Sequence, residues 1–300
     1  MVAHPERKAQ RTLQRLVGAT LCPVEVVPDV DALVAAMHGD AIGVVDTVLA
    51  QSRPELVDIP ARAWIAVPGD GAVPAEQPCV DALLAAGWQH VVSHPMPILA
   101  EELLATVQKL IRRDLFGLEK YMAWGAEVRS YTLEDARERD DAVARIAHDV
   151  VSVGLPDRVG SLVSVIADEL IANAVYVAPI DDAGERPHKA SPRDRSRTLT
   201  GREAVTLRWA TDARYLAIEV RDRWGSLDPK AVAARLAAGA KQASSESGMG
   251  LPLVYACCNQ LAINIERDVR TEMVALLDVR YKPNELGRAA SFHVFEQGVR

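Results

Sequence analysis

The sequence predicts an α/β domain followed by an α+β domain, and three observations carry the prediction. Up to about residue 115, short strand candidates that are apolar throughout alternate with helix-length patterns, as in a parallel sheet covered on both faces. From about residue 127, long helical patterns are segregated from strands that come in pairs, as in an α+β sandwich. The chain has 300 residues, 49% hydrophobic and 25% charged, enough for two folded cores at roughly 150 residues each. Domains are expected over 1–115 and 127–300, with 116–126 as a helical linker.

In the first half, Val24–Val27 is a strand candidate and Val30, Leu33, Val34 and Met37 mark a helix after it. Ala41–Val45 and Ala63–Val67 are further strands, the latter bracketed by Pro60 and Pro68-Gly69. Val80, Leu83 and Leu84 belong to a helix ending near Gly87. His90–Val92 is a fourth strand, and a helix over Glu101–Leu115 is expected to continue toward Tyr121 as a signalling linker. The segment before Val24 has a helical character and offers no strand.

In the second half, Glu127–Leu133 is a strand and Arg137–Val153 a helix, stopped by Gly154-Leu155-Pro156. Ser161–Val177 is a long, strongly apolar helix. Residues 181–203 hold six Lys/Arg and five Asp/Glu and are expected to be a solvated loop. Ala204–Trp209 and Leu216–Val220 pair around Thr211-Asp212. A short helix over 228–240, a helix over Leu251–Gln260 and strands at Ile263–Glu266 and Met273–Val279 complete the pattern.

Composition excludes some functions. Thirty-four Lys+Arg against forty-one Asp+Glu leave a net charge of −7, so no nucleic-acid partner is expected. No apolar run reaches the roughly 18 residues of a membrane span, so no membrane insertion is expected. The charged N-terminus lacks a signal-peptide core, and the four cysteines form no CxxC pair. A cytoplasmic protein with all four thiols buried follows as the expectation.

Three pieces carry chemistry. Glu169 and Asn173, four residues apart in Asp168-Glu169-Leu170-Ile171-Ala172-Asn173-Ala174, share a helix face and could hold hydrated Mg²⁺ and position a water. Alone, such a pair is most often a solvated face. Asp222, ending the strand Ile218–Arg221, can aim a carboxylate into a pocket and accept from an exocyclic amine such as that of adenine; the plainer reading is a turn cap. Ser247-Gly248-Met249-Gly250-Leu251 places glycines ahead of a helix, where backbone N–H groups can approach phosphate; a simple turn explains it equally well.

In this order and spacing the three pieces resemble the Bergerat-fold ATPases, the GHKL superfamily, over residues 127–282. The nearest look is to the anti-sigma-factor serine kinases and the ATPase domains of histidine kinases. The resemblance implies a two-layer Bergerat sandwich binding ATP and Mg²⁺. Asn173 would be the metal ligand and Glu169 the catalytic base. Asp222 would bind the adenine amino group, with Gly225 shaping the pocket wall. Ser247, Gly248, Gly250 and Leu251 would surround the phosphates. Residues 227–247 would be a mobile lid in which Lys241 could touch phosphate. The family turn after the aspartate reads D-x-G-x-G, whereas this chain has Asp222-Arg223-Trp224-Gly225-Ser226, so Trp224 and Ser226 stand in the glycine positions.

The first half resembles a response-regulator receiver. Asp46 stands at the phosphoacceptor position, and Ser93-His94-Pro95 replaces the receiver's Lys-Pro. The acidic pair of a first strand is missing, so a degenerate pseudo-receiver is expected, with Asp46 unphosphorylated. His148 is read as a structural histidine and not as a phosphoacceptor.

The function expected is a bacterial-type signalling protein of the two-component kind: a regulatory protein kinase or an ATP-dependent switch, with protein partners and scope for a homodimer. The alternative is a non-catalytic pseudokinase and pseudo-receiver that only binds proteins. A weaker third reading is a metabolic α/β enzyme whose G-x-G is coincidental.

Overall fold

The computed structural model describes residues 1–69, 73–192, 196–239, 250–280 and 289–297. The chain is an α/β protein that divides into two compact units. Its first half contains β1 (Val2–Ala3), α1 (Arg7–Gly18), α2 (Val30–Ala36), β2 (Ile42–Asp46), α3 (Thr47–Ser52), β3 (Ala63–Val67), α4 (Gln77–Ala85), β4 (His90–Val91) and α5 (Ile98–Arg112). The second half contains β5 (Arg129–Leu133), α6 (Arg139–Ser152), α7 (Asp157–Ala172), β6 (Val205–Thr211), β7 (Tyr215–Asp222), α8 (Pro229–Ala238), α9 (Gly250–Cys257), β8 (Gln260–Glu266), β9 (Arg270–Asp278) and β10 (Ser291–Gln297).

The first unit is Met1–Leu115 together with α8 and β10 as far as Val294. Strands β1, β2, β3 and β4 run parallel in that order, and β10 joins β4 antiparallel. Residues 24–27 lie on the outer side of β1: Val2 N–H reaches Glu25 O at 2.9 Å and Val27 N–H reaches Val2 O at 3.0 Å. Counting that segment, the parallel order reverses between β1 and β2, as in doubly wound sheets. The chain therefore does open with a strand, two residues long, before its first helix. Leu13, Val17, Val44, Ile65, Val67, Leu103 and Val107 form the core between the sheet and α1 and α5.

Two segments depart from the domain limits read in the sequence. Helix α8 packs on α4, burying Val232, Ala233 and Leu236, so the first part of the expected lid is a docked helix of the first unit. Strand β10 is held by a buried polar network. Ser93 N–H donates to Ser291 Oγ at 2.9 Å, and Ser93 Oγ donates to Ala289 O at 2.6 Å. His293 Nε2 lies 2.7 Å from Glu102 Oε1, and His94 Nδ1 lies 3.5 Å from Glu102 Oε2. Burial alone would push Glu102 up, but the bonds from His293 and His94 win and bring it to about 2.

The second unit is Phe116–Asp228 with α9, β8, β9 and the end of β10. Its strands run in the order β8-β9-β7-β6-β5, all antiparallel. Helices α6, α7 and α9 form one layer, α7 touching α6, α9, β6 and β7. The other sheet face is covered by residues 116–122, where Leu118 packs among Ala210, Ala217, Ala262, Val274 and Leu276. The helical linker expected over 116–126 is corrected here. Helix α5 stops at Arg112, Arg113 turns left-handed (φ 54°), and Leu118–Tyr121 is a single 3₁₀ turn lying on the sheet.

Helix α7 and the turn after it, Asp157–Val177, are long and apolar enough by composition to span a membrane, contrary to the sequence reading, and this is the one such helix among the described residues. Its apolar side is core: Val163, Ile166, Ala167, Leu170 and Ile171 are all buried. All four cysteines are free thiols, of which Cys258 alone is buried and the others are half-buried.

Candidate functional site

Helix α7 does not end at Ala172 but widens into a π turn over Asn173–Val177, with Ala178 N–H bonded to Asn173 O at 2.8 Å. Such turns re-aim side chains at the point where they interrupt an α-helix. Asn173 Nδ2 donates to Glu169 O at 2.8 Å. The atom of that amide with the chemistry to ligate a hard cation such as Mg²⁺ is Oδ1. Glu169 and Asn173 are both half-buried. The neighbouring Asp168 is turned to Arg139, 2.8 Å from its Nε, and is a structural partner of α6.

Gly250, the first residue of α9, is the third member. A Cβ added there would overlap Glu169 Oε2 and lie 3.6 Å from Asn173 Nδ2. A side chain there would have to push the end of Glu169 aside, so glycine leaves the start of α9 and the Glu169 carboxylate close together. The N-terminal end of α9 thereby lies beside a carboxylate and a carboxamide. Leu251 is buried in the core, and Pro252 occupies the first turn, where its missing N–H costs nothing. Ser247, Gly248 and Lys241 lie outside the described residues, as does the second part of the expected lid.

Asp222 reaches the same layer by parity. Along β7, Ala217 and Glu219 belong to the face covered by residues 116–122, so Leu216, Ile218, Val220 and Asp222 point to the helix layer. Asp222 is 3% exposed. Its Oδ1 accepts N–H groups from Trp224 (2.8 Å), Gly225 (3.4 Å) and Thr271 (3.3 Å). Burial pushes its carboxyl up to about 6 against the pull of those three bonds.

Gly225 has φ +61°, and a Cβ on it would overlap Glu266 O and crowd the N–H groups of Asp268 and Val269. Its backbone is thus pressed on the β8–β9 turn, a structural requirement that stands apart from the pocket-wall role the resemblance implies. Trp224 is 9% exposed, with the Arg202 guanidinium 4.5 Å from its ring centre. Ser226 Oγ donates to Ala178 O at 2.6 Å, tying the aspartate turn to the end of the π turn.

Over its described residues the loop 181–203 is largely exposed, as expected, but it is fastened down by three arginines. Arg186 bonds Val177 O and Ser226 O, Arg197 bonds Val175 O, and Arg202 bonds Arg223 O and Asp268 O. Arg186 and Arg197 cap carbonyls where α7 and its π turn end, and Arg202 fastens the loop to the Asp222 turn and the β8–β9 turn. The sequence reading missed them. A cation that reaches a carbonyl leaves the same mark in a sequence as one that reaches water.

In the first unit, Asp46 is 1% exposed and caps α3, its Oδ1 accepting from Val48 N–H (2.9 Å) and Leu49 N–H (3.0 Å). A Cβ at Gly69 would overlap its Oδ2. His4, following β1, brings Nε2 to 4.0 Å from Oδ2. His148 is exposed on α6. An open groove lined by Glu127, Arg129, Asp149 and Trp209 contains none of the predicted site residues. Among the described residues no group of three or more His, Cys, Asp or Glu side chains is arranged to hold a metal ion. A comparison of the chain with protein-family models finds no match, and neither does a search of curated proteins.

Proposed function

We propose that residues 127–282 are a Bergerat (GHKL) domain that binds ATP with Mg²⁺, fused to a degenerate receiver, and that the chain works as a regulatory protein kinase or ATP-dependent switch in the cytoplasm. The single observation that carries this reading is the convergence of Glu169, Asn173 and Gly250, residues from two helices separated by 76 positions of sequence. A carboxylate, a carboxamide oxygen and a helix N-terminus are the three groups needed to place a base, a hard cation and a phosphate chain next to each other. Bound Mg²⁺ would neutralise phosphate charge. Asn173 would hold it through Oδ1, and Glu169 would orient and polarise the attacking hydroxyl or water. Asp222, on the same face, supplies a buried acceptor for the base amine.

The receiver part of the reading rests on the doubly wound strand order and on Asp46 at the end of β2. With Oδ1 spent on two N–H groups, Oδ2 beneath Gly69 and His4 where an acid would stand, Asp46 serves as a helix cap, and the domain serves for docking.

A second reading, a nucleotide-free interaction module, is favoured by Trp224 and Ser226, which fill the turn beside Asp222 where glycines are expected. Calorimetric titration of ATP–Mg²⁺ into the wild type and Asn173→Ala separates the two. Binding that weakens at least tenfold in the variant supports the ATP site. No binding to the wild type up to millimolar ATP would leave the interaction module as the function.

A further inference from the structure

We propose that residues 116–122 are a proton-gated strap, held on the sheet face of the second unit while Glu219 beneath it carries a proton and loosened as Glu219 ionises. The inference is independent of nucleotide binding.

Glu219 on β7 and Glu272 on β9 are both fully buried, on the face that carries Ala217 and Val274. Each receives a backbone N–H of the strap: Gly117 donates to Glu272 Oε1 (3.0 Å) and Oε2 (3.1 Å), and Leu118 donates to Glu219 Oε2 (2.9 Å). Gly117 has φ +116°, a conformation that suits glycine and turns successive N–H groups toward the sheet.

Charged and polar groups surround the pair from every side. Arg208 on β6 donates to both Glu219 oxygens (3.1 and 3.3 Å) and also holds Glu119 of the strap. Arg221 on β7 bridges Glu219 Oε1 (3.1 Å) and Glu272 Oε2 (2.5 Å). Asn264 on β8 donates to Glu272 Oε1 at 2.8 Å. On the strap, Lys120 bonds Phe116 O and the partly buried Tyr121 lies beside both carboxylates, while Arg270 of β9 stacks 3.8 Å over the Phe116 ring.

The strap is what keeps the pair dry. Burial, then the neighbouring Glu272, raise Glu219 to about 7, against Arg221 and Arg208. With the strap lifted, water reaches both carboxylates and Glu219 returns toward the ordinary value of about 4.5. The closed state therefore binds the proton more tightly, so falling pH favours it and rising pH through neutrality loosens it.

Amide hydrogen exchange at Gly117 and Leu118, measured by NMR on the full chain and corrected for intrinsic rates, reads the strap directly. The expected result is protection roughly tenfold or more lower at pH 8 than at pH 5.5. In Glu219→Gln the amide is neutral and still accepts the Leu118 N–H, so protection should be the same at both pH values and as high as in the wild type at pH 5.5. Equal protection of the wild type at both pH values, or a Glu219→Gln protein that keeps the wild-type response, would overturn the proposal. Gly117→Pro removes a donor and cannot adopt the required φ. It should abolish Leu118 protection at both pH values and leave β7 and β9 amides protected, and a Leu118 that stays protected would show that the carboxylate clamp does not hold the strap.

Discussion

Strand β7 buries a carboxylate on each of its faces, and the two are accommodated by different means. Asp222, toward the helices, is bonded by three backbone N–H groups. Glu219, toward the strap, sits on two guanidinium groups, a strap N–H and a second carboxylate. Fixed dipoles hold a shape, which suits a recognition group that must present one geometry to a ligand. Mobile charges hold a balance, which suits an element that opens and closes. The difference teaches that one strand can hold two buried carboxylates by two different means, provided alternation keeps them on opposite faces.

The largest expected effect breaks the charge balance on the strap face. Arg221→Ala leaves two buried carboxylates with one fewer counter-charge. Because the Arg221 side chain is itself 29% exposed, the cost should fall at the low end for broken buried pairs, about 2–3 kcal/mol. It should be greater at pH 8, where Glu219 is ionised, than at pH 5.5. Urea unfolding at the two pH values checks the size and the direction. A loss equal at both would mean that Glu219 does not titrate in this range.

The next effect belongs to the helix face. Asp222 has its carboxyl raised to about 6, so its share of stability is full below the ordinary carboxylate range and is lost as pH rises through 6. Asp222→Asn removes that loss. It should stabilise the fold by about 2 kcal/mol at pH 8, with the gain vanishing toward pH 4. On the proposed function the same variant should bind ATP at least tenfold more weakly. Stability gained with binding unchanged would assign Asp222 to the turn alone.

Much of this was legible in the sequence, and the exceptions share causes. Strand β3 was read at its exact limits, and α6, α7, β6 and β7 to within a few residues, because their apolar periods run long enough to be counted. Strand β1 was missed because two residues have no period. Helix α3 was missed because Asp46 caps it directly at the end of β2, leaving no loop to announce it. Strand β10 and the packing of α8 were missed because their partners, β4 and α4, lie far away in the chain. At the site, Glu169 and Asn173 were legible from an i,i+4 spacing, and Gly250 and Asp222 from turn chemistry. The strap was not legible. Arg208, Glu219, Arg221 and Glu272 alternate with apolar residues, the pattern of a strand with one solvated face, and nothing local shows that residues 116–122 cover it.

The smallest expected effect tests whether the two faces are electrically separate. Arg202 stacks on Trp224 and donates to Arg223 O (3.3 Å) and Asp268 O (3.1 Å), all near the Asp222 turn, yet its bonds go to carbonyls and a ring. Arg202→Gln removes the charge together with the planar fork and the stacking. The loss should be about 0.5–1 kcal/mol, since exposed cation–π contacts are worth no more. It should also be the same at pH 5.5 and pH 8, because no carboxylate changes partner. Thermal melts at both pH values decide the matter. If the loss grows with pH, Asp222 depends on the Arg202 charge as Glu219 depends on Arg208 and Arg221, and the distinction between a face held by dipoles and a face held by charges fails. If it does not, the arginine that fastens the loop to the Asp222 turn acts by shape alone.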